Sequence, residues 1–443
     1  MKLSQRTARM KLAQMYIFPL TLLSVLFIVS CSRTPTQPSD STFSLTVADA
    51  SCREVYLQLR LGSGITSREV TLKRDTVVLF TRTITGTETA LTDTSLLPNR
   101  TYAYTASVGG NTEHCTATTM DTTSHSFSFT RTSLGDGTGS STLFDVAIIN
   151  DTLAYAVGQM FINDSTGQVD PQPYNVAIWN GKAWRIQKVP YVYQGQPFYH
   201  PIQCIYAFGT NDMWLAGNGV QHWDGQRYVE IDLPISLWGQ NQVNKIWGVN
   251  SNDLYVVGNS GSIAHYNGST WTKIESGTTL DVVDIYGSTN PSTGKQEILA
   301  VASQLGVSLD RRIFEINQTT ATALSDYPIT QPMSGIWFVP ERHYYVTGSG
   351  TYEKRNLSDN AWTLHSANLT TYYTDEVRGN GLNDVMVVGA FGEILHFNGT
   401  SWQSYRSQTA LSNGAYGGIA LKGNLVITVG HDGPQAVITM GRR

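Results

Sequence analysis

Three histidines stand in matched settings: His222 in VQHWDG, His265 in IAHYNG and His396 in ILHFNG. An imidazole titrates near neutrality and can act as general acid, general base or metal ligand. Upstream of each lies an aspartate in an Asn-Asp step, Asp212, Asp253 and Asp384. A catalytic constellation is needed once, whereas these residues recur at one position of a repeating unit, so the spacing points to architecture. The aspartates are expected to accept backbone hydrogen bonds in their turns. No Ser/His/Asp elbow, His-Glu-x-x-His or Cys-x-x-Cys pattern occurs. Cys204, in the apolar run IQCIYAF, reads as a core residue, with nothing beside it to lower its pKa.

The unit that carries these histidines is repeated. A strand-ending small residue recurs at Gly158, Gly217, Gly258, Ala302, Gly348, Gly389 and Gly430, mostly at intervals of about 41 to 46 residues. The stretch IWGVNSNDLYVVGNSGSIAHYNGSTW decodes as an inner strand, an Asn-Asp turn, a second strand, a Gly-rich connection, a third strand, an Asn-Gly hairpin turn and a fourth strand opening on an aromatic. Four strands per copy and seven copies predict a seven-bladed β-propeller. The last copy has room for three strands only, and the fourth is expected from residues 125–135, closing the ring and removing a free sheet edge.

Residues 43–120 show short alternating runs separated by turn residues, as in a small β-sandwich. The fold class is therefore all-β, a sandwich followed by a propeller over 121–443. The chain carries 30 Lys+Arg against 34 Asp+Glu, a net charge of −4 without a basic block, which argues against nucleic acid as a partner.

The first thirty residues read as a processing segment: Lys2, Arg6, Arg9 and Lys11, then the apolar run from Met15 to Val29, shorter than the ~20 residues that span a bilayer. The run ends in IVSC. This resembles a bacterial lipobox, which implies acylation of Cys31, a membrane anchor, and, with Ser32 following, the outer membrane of a cell envelope. Residues 31–42 read as a Pro/Ser/Thr-rich tether. In an oxidising compartment Cys52 and Cys115, which flank the sandwich, are expected to form a disulfide.

Leu96-x-Pro98-x-x-x-Tyr102 resembles the tyrosine corner of fibronectin type III domains, which implies a spacer of that fold, although the family's core Trp is absent. The repeats resemble exported bacterial relatives of photosystem II assembly factors and the BNR/sialidase-like propellers over roughly residues 126–443. HYNGSTW meets the sialidase Asp-box only in part, and Arg311, Arg312 and Arg378 fit no sialidase arginine trio. A non-catalytic binding or assembly scaffold is expected, with a glycoside hydrolase as the alternative and no cofactor.

Where a repeat departs from its template, function is the natural reason. The first copy is long in two places, Gln159–Asn175 and Tyr191–Pro201, and the second carries Leu233–Gln242. All three connections emerge on one face. Tyr191, Tyr193, Phe198, Tyr199, His200 and Trp238 are expected to form an aromatic surface there for a glycan or protein partner. Asp164 and Asp170 are a weak candidate pair for Ca²⁺. The protein is expected to be monomeric.

Overall fold

The computed structural model describes residues 43–62, 67–137, 139–193, 195–290, 293–365 and 369–443. Cys31, the leader and the tether lie outside the described residues.

Residues 43–118 build two sheets, one of Phe43–Ala50, Val55–Leu61 and Glu88–Asp93, the other of Val77–Thr85, Ser67–Arg74, Thr101–Val108 and Asn111–Thr118. Alternate residues of the strands point inward to one shared core of Leu45, Leu57, Leu59, Val70, Leu72, Tyr104 and their neighbours. The Leu97 amide donates to the Tyr102 hydroxyl at 2.9 Å, fixing the loop that enters strand Thr101–Val108.

Among the described residues from 128 on there are seven four-stranded antiparallel sheets. Their inner strands are Thr142–Asn150, Ile202–Gly209, Val243–Asn250, Val282–Thr289, Met333–Val339, Thr374–Gly381 and Gly414–Lys422. Each inner strand packs beside the next, and the seventh returns to the first. The ring is a β-propeller. In its last sheet Ser128–Leu134 pairs with Gln435–Arg442, from Leu134 opposite Ala436 to Ser128 opposite Arg442. The two ends of the ring segment are thereby stitched together.

The hairpin between third and fourth strands is a four-residue turn capped by its own side chain. Asn267 Oδ1 accepts from the Ser269 and Thr270 amides at 3.1 and 2.9 Å, and Asn180, Asp224, Asn317 and Asn398 repeat the device. Gly268 follows at φ 89°, and a Cβ there would sit 2.8 Å from Asn252 Cβ.

The matched histidines are structural, though not through the bonds expected of their aspartates. Asp212, Asp253 and Asp384 accept from the imidazoles of His222, His265 and His396, at 2.8, 2.7 and 3.0 Å. Second and third strands pair antiparallel with His222, His265 and His396 opposite Trp214, Tyr255 and Met386, two residues past each Asp, so Asp and His meet diagonally on one face of the sheet. In the sixth sheet Arg443 adds a two-pronged bond to Asp384, at 2.9 and 2.6 Å.

Because strand direction alternates, first-to-second and third-to-fourth turns lie on one face, and second-to-third and sheet-to-sheet connections on the other. We call these the turn face and the loop face. The sandwich sits on the turn face of the fifth and sixth sheets. Arg342 Nε lies 3.2 Å from Asp49 Oδ2, His343 Nε2 3.0 Å from Glu54 Oε2, and the Asn383 side chain donates to the Asp121 carbonyl at 2.8 Å.

The expected Cys52–Cys115 disulfide does not form. Cys52 points away from the sandwich core, its thiol donating to the Asp121 carbonyl at 3.2 Å beside the 398–399 turn, while Cys115 is packed inside that core. Burial pushes the Cys52 thiol up to about 11 and the Cys204 thiol well above its usual range, so neither is a nucleophile at neutral pH.

Candidate binding site

Every inner strand carries one extra residue near its start, at Phe144, Gln203, Asn244, Val283, Ser334, Asp375 and Gly417, where the register with the second strand shifts. Such bulges re-aim the next side chain. The seven residues that follow are Asp145, Cys204, Lys245, Asp284, Gly335, Glu376 and Gly418. Three are acids and each is followed around the ring by a residue with a different job. Asp145, Asp284 and Glu376 reach across to the next inner strand and accept the amides of Ile205, Ile336 and Ile419 at 3.0, 2.8 and 2.6 Å. The position they pass over is small in each case, Cys204, Gly335 or Gly418.

Two cations complete this girdle. Lys245 Nζ lies 2.9 Å from Asp145 and 2.5 Å from Glu376; Arg378 Nη2 lies 2.8 Å from Asp284 and 2.7 Å from Glu376. Burial opposes the charge on Lys245, yet Asp145 and Glu376 outweigh it and hold the ammonium above its usual range. Burial raises Glu376 against the pull of Arg378 and Lys245. Carboxylates therefore converge in the channel, as a glycoside-cleaving site would require, but these three are each held by a cation and a backbone amide. Asp375 next to them is pushed up to about 7 by burial and by Glu376. The girdle stands between a loop-side chamber of about 310 Å³, rimmed by Gln203, Asn244, Asn259, Asp281 and Ser334, and a turn-side chamber of about 230 Å³ walled by Tyr206, Tyr286 and Trp247.

Outside the channel the two faces differ in what they expose. Among large apolar side chains left open on the ring, Val169, Val192, Phe198, Ile235, Leu305, Val307, Leu309, Tyr327 and Phe391 belong to connections of the loop face. Val249 alone among the described residues lies at the turn face, and Leu364 is on an outer edge strand. Val307 is 79% exposed and Ile235 70%. Arg311 pairs with Asp326 at 3.0 Å and so ties the Leu305–Leu309 loop to the loop that carries Tyr327.

The six aromatic residues expected on this face divide. Tyr191–Tyr193 and Gln196–Phe198 form a small hairpin flap, pinned by a bond from the Val192 amide to Glu230. Phe198 is open and stacks on His200, ring centres 5.9 Å apart and planes at 7°. Tyr199 lies under Lys188 Nζ at 5.6 Å, itself 2.5 Å from Asp170. Tyr191 packs over Gly219, where a Cβ would sit 2.4 Å from its ring. The Tyr193 side chain lies outside the described residues. Trp238 is not a surface residue. It is 5% exposed, its indole donates to the Asn241 carbonyl at 2.7 Å, and its ring covers Gly258 with no room for a Cβ.

Asp164 and Asp170 do not converge on a cation site. Asp164 Oδ1 accepts the Thr166 and Gln168 amides and the Thr166 hydroxyl, which lower its pKa, and Asp170 is taken by Lys188 and the Gln172 amide, which lower its own. Among the described residues no group of acids, His or Cys could hold a metal. The Leu305–Leu309 loop escaped the sequence reading because its repeat is of ordinary length. Its alternating apolar residues in a connection that should be polar were the available signal.

No protein-family model and no curated protein matches the chain. Among solved structures it is similar to YCF48 bound to a D1 peptide, with TM-score 0.52 and 15% identity over 71% of this chain and 97% of that one. YCF48 from Cyanidioschyzon merolae gives 0.49 and 15%, over 70% and 98%, and the WD40 β-propeller domain of Doa1 gives 0.49 and 13%, over 71% and 97%. At such identity the first likeness supports one conclusion about this chain: its ring is a β-propeller.

Proposed function

We propose that the chain is a surface-anchored lipoprotein, acylated at Cys31, in which a fibronectin type III-like domain over 43–120 carries a seven-bladed propeller over 121–443 that captures a protein partner on its loop face. One observation carries the reading: open apolar side chains gather on the face opposite the sandwich. Exposing a large aliphatic side chain forgoes roughly 1.5–3 kcal/mol of burial, and patches of this kind are commonly interaction surfaces. Aliphatic Leu305, Val307 and Leu309 offer no stacking platform, which favours a protein over a glycan. The solved relative was captured with a peptide.

The geometry suits a tethered receptor. Asp49 touches the propeller, and Phe43 lies at the far end of the same eight-residue strand, about 20 Å away at 3.3 Å per residue. In this reading the tether joins the sandwich at the Phe43 end, and the loop face, opposite the sandwich, is the one left open to a partner. Recovery of envelope proteins on the full acylated chain and on its Val307→Asp, Leu309→Asp form tests the reading. A partner lost in the variant supports it; equal recovery refutes it.

Convergence of Asp145, Asp284 and Glu376 beside the near-neutral Asp375 favours the hydrolase as second reading. Turnover of a fluorogenic glycoside panel that is abolished by Asp375→Asn would establish it in place of the scaffold.

A further inference from the structure

The sandwich does more than lift the propeller. Between the two lies a cleft of about 390 Å³, within the ~300–1,000 Å³ usual for small-ligand sites. Its sandwich wall includes Arg53 and Glu54. Its propeller wall brings His343 and Glu353 from the fifth sheet, Arg355 from the turn after it, and the aromatic rings of Phe397 and Trp402 from the sixth. Neither domain alone forms it.

Inside, acids and bases alternate. Glu54 Oε2 lies 3.0 Å from His343 Nε2, His343 Nδ1 lies 3.0 Å from Glu353 Oε1, and Glu353 Oε2 lies 2.7 Å from His365 Nε2. Arg355 Nε is 3.0 Å from Glu54 Oε1. Two of these contacts, at Glu54 Oε1 and His343 Nδ1, are close but lack hydrogen-bond alignment. The two carboxylates are thus outnumbered by His343, held protonated between them, with Arg53 and Arg355. Among the described residues the Arg53 guanidinium has no hydrogen-bond or ion-pair partner, and Arg355 uses only Nε, leaving its terminal nitrogens open. Trp402 and Phe397 stand together at 5.2 Å, planes 32° apart.

Unspent guanidinium donors recognise a carboxylate, and an indole face takes the apolar side of a ring. We infer that the cleft between sandwich and propeller binds a carboxylate-bearing sugar ring of the uronic acid class, the carboxylate on Arg53 and Arg355 and the ring against Trp402. The ring can reach the cleft free or as the end of a polysaccharide chain. This site is on the turn face and is independent of the partner surface proposed above.

Calorimetric titration of the full chain with glucuronate, glucose, acetate and a uronate oligomer tests it. Saturable binding of glucuronate with none of glucose or acetate is expected, and an oligomer that binds more tightly identifies the chain end as the source. Loss of a charge-assisted bond worth roughly 1.5–3 kcal/mol corresponds to a fall of about 10- to 150-fold in Arg355→Ala. Arg53→Ala, at an exposed position, gives the second variant should the first disturb domain contact, with thermal melting as the check on folding. Absence of glucuronate binding, equal binding of glucose, or affinity unchanged in both variants overturns the proposal.

Discussion

The two faces of the ring are built from the same repeats and solve opposite problems. On the turn face, every third-to-fourth hairpin from the first to the fourth sheet and in the sixth closes on its own Asn or Asp side chain, and the sandwich is held to the fifth and sixth sheets by ionic contacts and hydrogen bonds. On the loop face, lengths vary and apolar side chains stay open. The difference teaches that repeat regularity marks what the fold needs, while the surface free to diverge is where a partner can be accommodated.

The largest effect should come from the girdle that underlies both faces. Arg378→Ala leaves Asp284 and Glu376 buried without their shared cation, and breaking a buried pair in this way costs about 3–5 kcal/mol. Urea denaturation should show the loss in the midpoint; a change under about 1 kcal/mol would mean that the girdle does not hold the ring. Next comes the anchored part of the loop face. Trp238→Ala empties a buried site over Gly258 and should cost about 3–5 kcal/mol, whereas an effect as small as that of an exposed residue would restore Trp238 to the binding surface.

The turn-face contact should be pH-dependent in a definite sense. Burial works against the His343 charge, but the carboxylates of Glu353 and Glu54 on either side push the imidazole up to about 9 from its ordinary 6.5. Its contribution is therefore complete below about pH 6.5 and lost as pH rises through about 9. Glu353 is buried too, yet His343 and His365 lower it to about 2 from 4.5, so its share is present above 4.5 and lost as pH falls toward 2. Melting curves between pH 6 and 10 should show destabilisation of the wild type that is absent in His343→Ala. The smallest effect on stability belongs to the open loop: Val307→Asp should change it by less than about 0.5 kcal/mol.

Strand period, the capped turns and the small residue ending each second strand made the propeller legible, because these are demands the backbone repeats in every copy. The His–Asp pairing was half legible, since both members recur, but only the register of second and third strands shows that they meet. The girdle was hidden because one bulge position holds Asp145, Cys204, Lys245, Asp284, Gly335, Glu376 and Gly418, a set united by long-range charge and not by residue type. Cys52 and Cys115 misled because compartment chemistry says that thiols can oxidise and nothing about where they point. Trp238 misled for a related reason: a loop aromatic reads the same whether it faces water or covers a glycine.

Position-specific photo-crosslinking in intact cells tests the central claim most directly, with a benzophenone side chain placed at Val307 or Phe198 on the loop face and at Val249 on the turn face. Adducts with one and the same protein from both loop-face positions, and none from Val249, are predicted. Equal adducts from Val249, or none from either loop-face position, would contradict it.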